Sequence, residues 1–320
     1  MNPATVDPAV KVQKAATRDA YGKTLIELAK TNQNIVVLDA DLSGSTRTAW
    51  FGKEYPDRFI NMGVSEADMI GTAVGLSLAG KIPFASTFSM FASGRAWEQI
   101  RNMVCLNKAN VKIVVTHGGI TVGEDGASHQ ALEDISITRA IPNLNVVVPA
   151  DAYETASAIK VAAATEGPFY IRLTRNDIPY LYQSVDDANY QLGKGRVLRE
   201  GKDVTIVGCG QMVYFCLLAA EELAKKNVSA RVINMVSIKP IDSDLIIKAA
   251  KETKGFVTVE EHSIYGGLGS AVAEVLVQNH PAPVKMIGLK GFGTSGPAEK
   301  LMEHFGLTTE KIVEAALQYK

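Results

Sequence analysis

Residues 116–130, THGGITVGEDGASHQ, bring two of the chain's five histidines, His117 and His129, into a glycine-rich stretch that also holds Asp125. Imidazoles that donate, accept or move a proton, set beside a carboxylate, are groups that recognise the hydroxyls and carbonyl of a polar substrate. Either histidine alone reads as an ordinary surface or core residue. Grouped with Asp125 among Gly118, Gly119, Gly123 and Gly126, they read as a site. The apolar run before them, residues 111–115, reads as a buried strand. In open α/β sheets ligands bind in the crevice outside the carboxyl ends of the strands, so His117, Asp125 and His129 are expected to face one.

Three other places carry candidate groups. LDADLSGS, residues 38–45, ends a strand with Asp39, Asp41, Ser43 and Ser45, and helix capping accounts for these as well as a ligand does. TFSMFASGRAWEQI, residues 87–100, sets Phe88 and Phe91 between a strand and an amphipathic helix, as core aromatics or as walls for a flat heterocycle. Glu66 falls in the first turn of a helix with Ser65 as its expected N-cap and Gly80 as its stop. The helix dipole favours a carboxylate there, but residues 69–80 contain no Lys or Arg to balance it, which makes Glu66 a candidate buried functional carboxyl.

The elements that must position these groups alternate. Apolar runs at 35–38, 82–85, 111–115, 146–148 and 169–173, with helical patterns between them, predict a parallel sheet covered on both faces. Residues 179–192, PYLYQSVDDANYQL, lack either period and read as a linker between domains 1–182 and 193–320. Beyond them strands are expected at 204–207, 231–235, 255–259 and 284–287, and helices at 212–225, 243–251 and 269–278. The glycine turns at 208–211 and 265–270 lack the acidic residue that would complete a dinucleotide fingerprint and read as tight turns. Glu260, Glu261 and His262 end a strand without an assigned role.

Composition narrows the classes. The chain has 320 residues, 47% hydrophobic and 21% charged, with a net charge of -1, so neither nucleic acid nor an anionic membrane is an expected partner. Cys105, Cys209 and Cys216 have no metal spacing and read as buried, reduced thiols. With no apolar signal segment, they point to a cytoplasmic protein.

The succession DADLSGS, NMGVSEADM, STFSMFASGRAWEQIR, THGGITVGEDGASHQALED, VVPAD and YIRLTRNDIP resembles the pyrimidine-binding domain of transketolase, and the remainder is similar to the C-terminal domain of that family. The resemblance implies an α/β fold: a thiamine-diphosphate-binding, pyrimidine-type domain with a parallel sheet, then a smaller C-terminal α/β domain. It implies thiamine diphosphate as cofactor, with Glu66 bonded to N1′ of the aminopyrimidine to favour the imino tautomer that takes the C2 proton. Phe88 and Phe91 would pack against that ring, and Asp41 would lie near the cofactor across a dimer interface. His117 and His129 would contact sugar hydroxyls or the reacting carbonyl, Asp125 a hydroxyl beside it, and Arg18, Ser45 and Arg175 the sugar phosphate. Where the family often has a further aromatic, this chain has Gly94.

The family's Mg2+ is bound by GDG and a later Asn, and GEDG at 123–126 is the one lookalike here. No metal ligands are therefore expected on this chain, and the resemblance implies a separately encoded N-terminal transketolase subunit that carries them. The reading is the C-terminal subunit of a split transketolase, moving a two-carbon ketol unit between sugar phosphates in a heterotetramer of two copies of each chain. Alternatives using the same cofactor are half of a 1-deoxyxylulose-5-phosphate synthase, disfavoured by His117 in THGG, and the β subunit of a 2-oxoacid dehydrogenase. A non-catalytic regulatory homologue is a further alternative, against which the intact set of Glu66, Phe88, His117, Asp125 and His129 speaks.

Overall fold

The computed structural model describes residues 13–320. Strands Ile35–Asp39, Lys112–Thr116 and Phe169–Arg172 are buried at every position. That is why they read as largely unbroken apolar runs instead of alternating ones. They lie in a seven-stranded sheet ordered Ser237–Lys239, Asn145–Val147, Phe169–Arg172, Lys112–Thr116, Ile82–Phe88, Ile35–Asp39 and Phe59–Asn61, parallel except at the first. A five-stranded sheet is ordered Val284–Leu289, Phe256–Ser263, Val204–Gly208, Ala230–Asn234 and Arg196–Arg199, parallel except at the last. Each expected strand falls in one of these sheets, and the later helices form as Met212–Lys225, Ser243–Glu252 and Leu268–Asn279.

The halves are less separate than the sequence implies. Ser237–Lys239 comes from the second half but pairs antiparallel with Asn145–Val147 at the edge of the first sheet. Ile233, Met235, Phe256 and Leu268 share one apolar core with Val146, Val148 and Tyr170. Residues 179–192, expected as a linker, are packed. Tyr182 and Tyr190 are buried, Val185–Ala188 forms a helical turn capped by Ser184, and the amides of Leu181 and Tyr182 donate to Asp151 Oδ2 at 2.7 and 3.1 Å. Satisfied backbone groups and two anchored aromatic rings hold this connection in place without a periodic pattern.

Two helices near the site also differ from expectation. Glu66–Leu78 starts after Ser65 and stops before Gly80, but the Ser65 side chain makes no capping bond. The segment after Phe88 is not one amphipathic helix. It forms Ser89–Arg95, then Trp97–Gln99, then a π-helical turn Ile100–Cys105, a widened geometry that interrupts regular helices.

Candidate active site

Three neighbouring strands end on one rim of the seven-stranded sheet: Ile35–Asp39, Ile82–Phe88 and Lys112–Thr116. Phe88 closes its strand and Phe91 lies in the short helix that follows. Their rings stack with centroids 5.7 Å apart at 19°. His117, the first residue beyond Lys112–Thr116, stacks on Phe88 at 3.8 Å and 21°, and His129 stands edge-on to Phe91 at 5.3 Å and 71°. The aromatic pair and the two histidines thus form one wall.

His117 has φ 60°, a left-handed conformation that costs a non-glycine residue roughly 1–2 kcal/mol and recurs at functional sites. The glycines after it allow the close approach. A Cβ on Gly118 would lie 2.6 Å from Arg172 Nε, and one on Gly119, itself at φ 93°, would lie 2.3 Å from the Glu261 carboxyl carbon.

The His117 ring is buried, with Nδ1 2.8 Å from the Thr116 hydroxyl. Its pKa is pushed down to about 3, first by burial and then by the guanidiniums of Arg18, Arg175 and Arg47. It is a neutral imidazole at physiological pH. Arg18 donates to the Ser45 carbonyl at 2.9 Å, so Ser45 meets it through backbone. Burial, then the neighbouring Arg47, lowers the pKa of Arg18 as well. Arg175 donates to the Val122 carbonyl and lies 3.9 Å from Glu124. Arg18 and Arg175, with Lys300 from the second half, line a cavity of about 640 Å³ beside the 120–125 turn. Glu124, Asp177 and Glu299 line it as well, so its formal charge balances and an anionic group would be met by Arg18 and Arg175 themselves, not by a net positive surface.

Glu66 is 4% exposed and accepts from Arg95 Nη1 at 2.9 Å, while the Arg95 guanidinium lies 4.3 Å from the centre of the Phe91 ring. The balancing cation missing from Glu66's own helix therefore comes from the helix behind the aromatic wall. Asp39 and Asp41 do not act as a pair. Asp39 is fully buried, its Oδ1 accepting from Leu42 N at 2.6 Å and its Oδ2 from the Thr46 and Thr48 hydroxyls at 2.7 and 2.8 Å. Asp41 is exposed at φ 63°, accepting from Asn61 Nδ2 at 2.9 Å. Asp125 is exposed on the rim and His129 half-buried.

Groups to which the sequence alone assigned no role lie buried or ion-paired around this wall. Arg95 ties Glu66 to Phe91. Asp134, 1% exposed, accepts through Oδ2 from Ser89 Oγ, Tyr170 OH and Arg172 Nε, each at 2.9 Å. Glu260 caps the helix Leu268–Asn279, accepting from Leu268 N and Gly269 N at 2.7 and 2.8 Å, and burial raises its pKa to about 7. His262 accepts at Nε2 from Ile135 N at 3.2 Å, with a pKa depressed to about 4 chiefly by burial. The signal for Glu260 and His262 was three ionisable residues in a row, 260–262, near the end of an apolar strand, which buried partners must accommodate; Arg95 and Asp134 had none.

Residues 13–179 match the family model described as the transketolase pyrimidine binding domain, and residues 193–312 match that of the transketolase C-terminal domain. A "Putative transketolase C-terminal section" from Methanocaldococcus jannaschii is 52% identical over 304 residues, 94% of this chain and 95% of that one. A 6-deoxy-6-sulfo-D-fructose transketolase subunit from Clostridium sp. (strain MSTE9) is 42% identical over 308 residues, 96% of this chain and 95% of that one. Among solved structures, a split gene transketolase described as an inactive beta4 tetramer aligns with a TM-score of 0.88 at 50% identity, covering 96% of this chain and 98% of that one. Domain models in order along most of the sequence, relatives matched nearly end to end and the shared fold agree: the chain belongs to the transketolase family.

Proposed function

We propose that this chain is the C-terminal subunit of a split transketolase, transferring a two-carbon ketol unit from a ketose phosphate to an aldose phosphate together with a separately encoded diphosphate-binding subunit. The observation that carries the reading is the buried carboxylate of Glu66 joined through Arg95 to a stacked aromatic pair whose other neighbours are His117 and His129. Thiamine diphosphate, when bound, supplies the nucleophilic carbon that carries the ketol unit. The donor set fits its aminopyrimidine: a desolvated carboxylate for a ring nitrogen and flat aromatic surface for the ring.

In this reading Glu66 holds N1′ of the pyrimidine, Phe88 and Phe91 pack against the ring, and Asp41 lies near the cofactor at an interface with a second copy. His117, neutral and buried, offers a hydrogen bond to the substrate carbonyl or a hydroxyl without adding charge. His129 and Asp125 hold further hydroxyls. Arg18, Ser45 and Arg175 receive the phosphate, the two arginines from the cavity beside the 120–125 turn and Ser45 from its bond to Arg18. Among the described residues no three His, Cys, Asp or Glu side chains group to hold a metal ion, and the proposal assigns the Mg2+ ligands to the partner subunit. Two copies of each chain make the working assembly, in the cytoplasm. The inactive beta4 tetramer of the structural relative accords with activity that needs a second kind of chain. A donor ending in a sulfonate is a second reading, favoured by the name of the Clostridium relative and by the two arginines, Arg18 and Arg175, beside the 120–125 turn.

The test is Glu66→Gln in the assembled enzyme, which keeps the side-chain shape and removes the carboxylate. Turnover is expected to fall about 10²-fold or more at saturating cofactor. Turnover within a few-fold of wild type would remove Glu66 from the mechanism. Running phosphate- and sulfonate-ended ketoses side by side separates the two readings.

A further inference from the structure

Glu261 belongs to the second half of the chain, yet its carboxylate is buried against the histidine turn of the first. Its Oε1 accepts from the Thr121 amide at 2.7 Å, and its Oε2 accepts from Gln211 Nε2, which also reaches the Thr121 hydroxyl at 3.0 Å. The carboxylate fills the space left by the missing side chain of Gly119. Arg172 Nη2 donates to the Glu261 carbonyl at 3.0 Å and the Ala131 carbonyl at 3.1 Å, while its Nε reaches Asp134 at 2.9 Å. Asp134 in turn accepts from Ser89, the residue after Phe88. Two branches of buried polar contacts therefore leave Glu261: its carboxylate reaches the turn that carries His117, and its main-chain carbonyl reaches the aromatic wall through Arg172, Asp134 and Ser89.

A turn with glycines at 118, 119 and 123 has many conformations to lose. A charge-assisted bond to a backbone amide in its middle selects one of them. We propose that Glu261 is a positioning residue through which the C-terminal half sets the place of the His117–Asp125 turn, and so acts on substrate binding without touching the substrate. This rests on the reading of that wall as the ketol-transfer centre.

The test uses three variants. Glu261→Asp withdraws the carboxylate by one methylene, Glu261→Gln sets an amide against the Gln211 amide, and Glu261→Gln combined with Gln211→Glu again faces one carboxylate with one amide. In the assembled enzyme each single variant is expected to raise KM for the ketose about tenfold, with thiamine diphosphate affinity held within about twofold and the paired exchange recovering most of the loss. In the chain alone, amide hydrogen exchange across residues 117–125 should quicken about tenfold in each single variant and slow again in the pair. Unaltered exchange together with unaltered KM overturns the proposal. So does a joint fall of kcat, cofactor affinity and melting temperature that the pair fails to rescue, which marks a merely structural residue. A wild-type assembly without ketol transfer would overturn the functional reading, while the exchange measurement would still decide the positioning role.

Discussion

His117 is buried and stacked on Phe88, and Arg18, Arg175 and Arg47 disfavour a further positive charge there, so protonating it means placing a cation where water is excluded and like charge opposes it. Its imidazole should show no titration between pH 5 and 8 by 15N NMR of the chain alone, and a midpoint near 6.5 would contradict the burial argument. The linked stability follows in sign. The unfolded histidine binds a proton near 6.5 and the folded one only near 3. Its contribution is therefore full above pH 6.5 and is lost as pH falls toward 3. Arg175, proposed to receive the phosphate, gives a second test. Arg175→Ala should raise KM about tenfold for phosphorylated ketoses and leave unphosphorylated ones nearly unchanged, and equal penalties would remove the phosphate assignment. At this scale the sequence exposes chemistry well where residue types are rare and clustered, as in 116–130. It does not expose pairings such as Glu66 with Arg95, because a 29-residue separation carries no local pattern.

Elements were legible in proportion to their length and burial. Lys112–Thr116 and Phe169–Arg172 are central and covered on both faces, so their composition declares them. Phe59–Asn61 and Ser237–Lys239 are three-residue edge strands, set by pairing rather than by composition. The stretch at 179–192 lacks periodicity because its order comes from two buried tyrosines and from side-chain acceptors on other elements. Asp134 shows how far such tertiary groups matter, linking the helix that starts at Ser89 to the end of Phe169–Arg172. Asp134→Ala strands the buried Arg172 guanidinium and should cost about 3–5 kcal/mol of unfolding free energy in urea titrations. A loss below about 1 kcal/mol would show that solvent reaches that guanidinium.

For the molecule as a whole, the shared core and the crossing strand Ser237–Lys239 pack the two halves against each other beside the site. In the proposed function Glu66, the aromatic pair, the histidines and the arginines act from this chain, while the metal and diphosphate ligands are assigned to a partner. The proposed enzyme is completed only by association, with the cofactor bridging two kinds of chain. The most direct measurement is ketol transfer by the purified chain with thiamine diphosphate and Mg2+, before and after addition of the diphosphate-binding subunit. No transfer and weak cofactor binding are expected of the chain alone, with activity and tight binding appearing together on mixing. Transfer by the chain alone at a rate comparable with full-length transketolases would contradict that expectation.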